Sequence, residues 1–325
     1  MSSTRPIFLV GCARSGTTLL STMLHAHPRI AMPPETRFLV PAYYGRARFG
    51  DLQLPENRRA LAESITGKGS KFRDLGLNRK RTVQAIVDGP PTIGSAFGII
   101  WQEFASDRGK ARWGEKRPAY WETLDAVRRL FPDAQIIHLV RDGRACAASL
   151  KKVDWWRSGV PGAAASWVLS NRVLDRLGRK LPAHSYYYLR YEDLLADPRG
   201  ELTALCGFLE ESFDEAMLDF ASAAGDIVPE RKTWHQLTRS GLDTSRVDAW
   251  RTSLTPAEIG LIELIGRNAM HKHGYAVSGV AERPAARAVV TSLSDLEKRS
   301  LSMARRRVRD AVQQRRDLNP VAYQA

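Results

Sequence analysis

Three short apolar runs stand out against hydrophobic residues that otherwise recur at helical spacing. Residues 7–10 (IFLV), the run AQIIHLV ending at Val140, and SYYYLR from Ser185 are each too short for a helix. Turn-forming residues border them, so each predicts a strand. A helix starting near Ser15 follows the first strand. Apolar positions three and four apart predict further helices over 121–131, closed by Pro132 and Asp133, and over 163–181. Another is predicted over 254–275, with Thr255 as N-cap and Gly274 past its end. Strands alternating with helices predict an α/β fold with a parallel sheet wrapped by helices.

Residues 41–112 break that rhythm. Short helical patterns, ENRRALAESI and PPTIGSAFGIIWQEFA, are separated by Gly- and Lys-rich loops. An excursion of this length before the next strand predicts a cap on the acceptor side of a site, with Trp101 and Phe104, three apart, in its core. RWGEKRPAYW, 112–121, reads as a turn or the end of a short strand. The main domain is expected to run over 1–278, followed by a basic helical tail over 279–325.

The candidate chemistry gathers where strands end. Residues 11–18, G-C-A-R-S-G-T-T, space Gly11 and Gly16 as in a phosphate-binding loop. There, backbone N–H groups and a helix N-terminus converge on one anion. Thr17 stands where nucleotide triphosphatases carry lysine. That lysine and a magnesium ion neutralise a highly charged γ-phosphate; Arg14, Thr17 and Thr18 suit a phosphate beside a less charged group, such as a sulfuryl. Arg141 closes the second strand, where open α/β sheets bind ligands. Ser149 follows about two helical turns later, so one ligand meets both only by spanning the helix face, as a ribose phosphate does. In AMPPETRFL, extended by Pro33 and Pro34, Glu35 and Arg37 point the same way. The pair reads as a base, a substrate clamp or a solvated ion pair.

Charge adds a constraint on partners. The chain carries +14 with pI near 10. Residues 44–81 contribute +6 and residues 281–325 contribute +5. No helix-turn-helix, zinc-finger or aromatic RNA-binding motif accompanies them, so specific nucleic-acid binding is not expected. An anionic cofactor, an anionic substrate or a membrane surface explains the surplus as well. The tail could pack on the domain, pair with a second subunit in a homodimer, or lie peripherally on anionic lipid; a solvated helix is the expectation. Cys12, Cys146 and Cys206 have neither disulfide nor metal spacing, and His271 and His273 are two apart on a helix, so no metal is expected. The absence of a long apolar run or a separate signal segment favours the cytoplasm.

Taken in order, these pieces resemble the sulfotransferases that use 3′-phosphoadenosine-5′-phosphosulfate (PAPS), over roughly residues 6–275. GCARSGTTLL resembles the family's 5′-phosphosulfate loop and LVRDGRACAASL its 3′-phosphate strand–helix, with YEDLLADP and the segment over 250–258 in support. The resemblance implies a three-layer, P-loop-like α/β domain with a central parallel sheet. It implies that Arg14, Ser15, Gly16, Thr17 and Thr18 hold the phosphosulfate, that Arg141 and Ser149 bind the 3′-phosphate, and that Tyr191 contacts the cofactor. PPETRFL and GEKRP are similar to segments of the tyrosylprotein sulfotransferase branch. They make Glu35 the candidate base, Arg37 its substrate-side partner and Lys116 the residue near the bridging oxygen. A loop over 234–243 would close on the cofactor, with His235 as a polar active-site residue and, beside His25 and His27, a rival base. Val153 and Ala249 replace basic contacts of that branch, so Lys152, Arg246 or Arg251 would substitute. The implied reaction moves a sulfuryl group to a hydroxyl or amine of a small-molecule, glycan or lipid acceptor. A P-loop kinase of a small metabolite and a non-catalytic anion or nucleic-acid binder are the competing readings.

Overall fold

A computed structural model describes residues 3–227, 243, 246–279 and 282–324. Five parallel strands form its sheet: β1 (Ile7–Gly11), β2 (Ile30–Ala31), β3 (Arg112–Lys116), β4 (Gln135–Val140) and β5 (Tyr186–Arg190). Their spatial order is β2-β3-β1-β4-β5, with every neighbouring pair parallel. β1, β4 and β5 are the three runs legible in the sequence. β3 occupies the segment that read as a turn or strand end, and β2 is only two residues long.

Alternation along β1 divides the core between the two faces of the sheet. Ile7 and Leu9 pack with Ile137, Leu139 and the helices Thr17–Ala26 and Pro198–Leu209. Phe8 and Val10 face the other way, toward Trp101, Trp113 and Phe131. The Phe8 ring lies 5.2 to 6.2 Å from those of Phe131, Tyr120, Trp101 and Trp113, a cluster that fixes the helix Ile93–Ser106 against the sheet. Trp101 and Phe104 are thus core residues. The excursion after β2 forms helices Leu39–Tyr44, Pro55–Ile65 and Arg79–Asp88, whose Leu61, Ile65, Val83 and Ile86 join the same apolar cluster. The sheet is therefore layered between helices on both faces.

Register sets the ends of the strands. Leu9 pairs with Lys116, and Gly11 with Leu139. Val140 pairs with Arg190, so Arg141 and Tyr191 both leave the sheet at the carboxyl edge of β4 and β5. Strands flank β1 on both sides, which puts the ligand crevice at its carboxyl end.

The tail departs from the solvated helix expected of it. Ala286–Gln314 is one helix laid along Gly159–Gly178, burying Ser292, Met303 and Asp310. Asp310 and Asp317 then pair with Arg46, which is almost fully buried. The last residues re-enter the core: Gly94 N donates to Val321 O at 2.9 Å and Tyr323 N to Leu130 O at 2.7 Å. The Tyr323 ring packs edge-on to Trp113 at 5.9 Å. Gly98 makes room for it, since a Cβ there would collide with that ring. None of these partners is near the tail in sequence.

Candidate functional site

The loop after β1 turns through two left-handed residues, Arg14 (φ 71°) and Gly16 (φ 95°), before the helix Thr17–Ala26 begins. Gly16 is required twice over: its backbone lies in the region glycine favours, and a Cβ would run into the Tyr191 ring. Ser15 N donates to Cys12 O at 3.2 Å, closing the turn. The Ser15 side chain is fully buried and its hydroxyl has no hydrogen-bond partner. A buried polar atom at a helix N-terminus without a partner is costly unless a ligand supplies one.

Arginines gather around this loop. Arg14 Nε donates to Ser149 Oγ at 2.9 Å, so the helix Gly143–Lys151 does bring Ser149 to the loop. Arg141 Nη1 donates to Arg14 O at 3.3 Å and Nη2 to Arg246 O at 3.0 Å. Its guanidinium lies 4.4 Å above the Tyr191 ring, and its Nε is buried without a partner. Burial, then the neighbouring charge of Arg141, depress the Arg14 pKa. Burial and a like charge nearby both disfavour a charged Arg14 side chain. A bound anion would offset that cost.

Arg14, Ser15, Gly16, Arg141, Ser149 and Tyr191 thus converge, with Thr17 and Thr18 opening the helix behind the loop. Arg246 joins through its carbonyl, while its side chain pairs with Asp243 at 2.9 Å. Lys152 reaches Ser253 instead, and Arg251 pairs with Asp248 and stacks on Trp250.

Three residues hold Arg141 in place and were not singled out for that role from sequence. Trp167 Nε1 donates to Arg141 O at 2.8 Å. Glu192 accepts from Asp142 N at 3.0 Å through one oxygen and from Tyr275 Oη at 2.7 Å through the other. The position of Glu192 just beyond a strand end was the available signal; the long-range partners were not.

On the other side of β1, Lys116 Nζ lies 3.4 Å from Glu35 Oε2. Lys116 is buried and Glu35 half-buried. Thr36 turns inward, where its hydroxyl donates to Glu115 Oε1 at 3.2 Å, while Arg37 is exposed. Glu115 is fully buried, also accepts from Tyr120 Oη at 3.1 Å, and has its second oxygen unpartnered. Burial, then the charge of Glu35, push its pKa up to about 8. Arg37 N–H donates to Ser70 O at 3.0 Å, and elsewhere in the cap lies an open pocket of about 500 Å³. Lys68, Arg73 and Arg79 line it beside Phe72 and Leu77.

His25 and His27 do not belong to this site. They sit at the far end of the Thr17–Ala26 helix, about 12 Å from its start at 1.5 Å per residue. Both are in structural use. His25 Nδ1 accepts from Met32 N at 3.1 Å, and His27 Nδ1 from Arg29 N at 3.1 Å. Burial takes His25 down to about 4. His235 and most of the loop over 234–243 lie outside the described residues. Among the described residues no cluster of potential metal ligands occurs, and no helix is long and apolar enough to cross a membrane.

A strand–loop–helix at the head of a parallel sheet, with a Glu35–Lys116 pair beside it, is an arrangement suited to a group-transfer enzyme. The sulfotransferase family model matches residues 6–215, and the chain belongs to that family. The nodulation protein NoeE of Sinorhizobium fredii is 27% identical over 295 residues, covering 82% of this chain and 65% of that one. Zebrafish protein-tyrosine sulfotransferase 1 is 26% identical over 231 residues, covering 67% and 57%. The chain spans less than two thirds of the length of these curated relatives. The sulfotransferase domain of the Synechococcus PCC 7002 olefin synthase superposes with a TM-score of 0.62 at 28% identity, over 85% of this chain and 96% of that one. The corresponding domain from the curacin biosynthetic pathway superposes with a TM-score of 0.56 at 22% identity, over 85% and 100%, a likeness of fold.

Proposed function

We propose that the chain transfers the sulfuryl group of PAPS to a hydroxyl or amine acceptor, releasing adenosine 3′,5′-bisphosphate. The observation that carries this reading is the convergence of Arg14 and Arg141 with the orphaned Ser15 hydroxyl at one helix N-terminus. PAPS supplies an activated sulfuryl group and two phosphates. The loop amides, Ser15, Thr17 and Thr18 would take its 5′ end, and Arg141 and Ser149 its 3′-phosphate, with Tyr191 beneath.

Glu35 takes the proton of the acceptor as its oxygen or nitrogen bonds to sulfur and the bond from sulfur to the bridging oxygen breaks. Lys116 and Arg14 offset the charge that grows on the departing oxygen. The Glu35–Lys116 contact holds the two side chains together before substrate arrives. Arg37 stands on the acceptor side.

Turnover of PAPS with a panel of hydroxyl acceptors in EDTA tests the reading. Release of adenosine 3′,5′-bisphosphate with matching acceptor sulfation is the expected result. Strict magnesium dependence with ATP as donor would overturn it in favour of a P-loop kinase.

A further inference from the structure

The helix Ala286–Gln314 packs one face on the domain and leaves apolar residues exposed on another. Its inner side carries Ser292, Met303 and Asp310 against the protein. Val290, Leu293, Leu301, Val308 and Val312 are between 47% and 66% exposed. At 100° per residue these five fall within a sector of about 100°, on a stripe about 33 Å long. An exposed apolar stripe of that length on an otherwise charged helix marks an interaction surface.

The residues beside the stripe state what kind. Arg287, Lys298, Arg305 and Arg309 project about 60–100° around from its centre, along one flank. All four are exposed, and none makes an ion pair among the described residues. Other cations of the helix are engaged: Arg299 and Arg306 pair with Glu122, and Arg307 with Asp125. Glu297 is the one acid on this outer face and lies within the stripe, between Leu293 and Leu301. A second copy packed stripe to stripe would bring like charges together. An anionic lipid surface meets both requirements, with acyl chains for the valines and leucines and headgroups for the cations.

We infer that the outer face of this helix docks the protein peripherally on anionic membranes. The inner face anchors the helix to the domain, so the surface is preformed and its docking does not depend on the reaction proposed above.

Sedimentation of the full chain with vesicles of phosphatidylcholine, alone or with one third phosphatidylglycerol, tests this at low and physiological salt. Binding to the anionic vesicles and not to the neutral ones is expected, weakening as salt rises. Val308→Glu with Val312→Glu, and separately Arg305→Gln with Arg309→Gln, should each reduce the bound fraction about tenfold or more while leaving the melting temperature within a few degrees. These sites are exposed, so the fold does not depend on them. Failure to bind anionic vesicles at low salt, or equal binding by the variants, would overturn the inference. So would a concentration-dependent dimer that the same substitutions dissolve, which would assign the face to a second copy. A failure of PAPS turnover would leave each of these readouts intact.

Discussion

Glu35 and Lys116 were legible as candidates because each lies in a short motif, but the sequence did not say how they are held. The answer lies in alternation. Thr36 turns inward to Glu115, a bond that ties the segment carrying Glu35 to β3 beside the Glu35–Lys116 contact. Glu35→Gln keeps the shape and removes the proton acceptor. It should lower kcat by about 10²–10⁴-fold while leaving adenosine 3′,5′-bisphosphate affinity unchanged, as steady-state kinetics and calorimetry will show. Glu115 gives a separate pH signature. Its carboxyl binds a proton more tightly folded than unfolded, up to about 8 against an ordinary 4.5. The stability this contributes is complete below about pH 4.5 and is lost as pH rises through about 8. Glu115→Gln, neutral throughout, should melt close to the parent protein near pH 4.5 and above it near pH 8.5. The buried role of Glu115 could not be read from GEKRP, since nothing local to that stretch announces which side of the strand faces the core.

The strand–loop–helix over residues 7–26 was the most legible element, because its pattern is local: apolar run, two glycines, helix. What the pattern did not contain was the ring beneath Gly16. Gly16→Ala meets both a left-handed backbone and Tyr191, so the loop must shift. Adenosine 3′,5′-bisphosphate affinity should fall at least tenfold, and Tyr191→Ala in the same background should recover part of the steric loss in calorimetry. The tail shows the opposite case. Its helix was legible, but its latch was not, because Asp317, Asn319 and Tyr323 find partners more than 190 residues away. Ending the chain at Gln314 should lower the melting temperature by several degrees, since it removes a buried ion pair and a ring packed on the core.

At the scale of the molecule, the parallel sheet followed from alternating strands and helices, and its carboxyl edge gathered residues scattered from 14 to 246. The positive charge has at least two destinations in the fold: guanidiniums turned into the loop and cap, and cations left outside on the tail helix. The central claim concerns the first. It is tested most directly by calorimetric titration of the protein with adenosine 3′,5′-bisphosphate in EDTA, repeated with Arg14→Ala and Arg141→Ala. Each lost charge-assisted contact is worth about 1.5–3 kcal/mol, so each variant should bind about 10- to 100-fold more weakly than a micromolar parent. Absence of binding by well-folded protein, with magnesium-dependent binding of ATP in its place, would contradict the account.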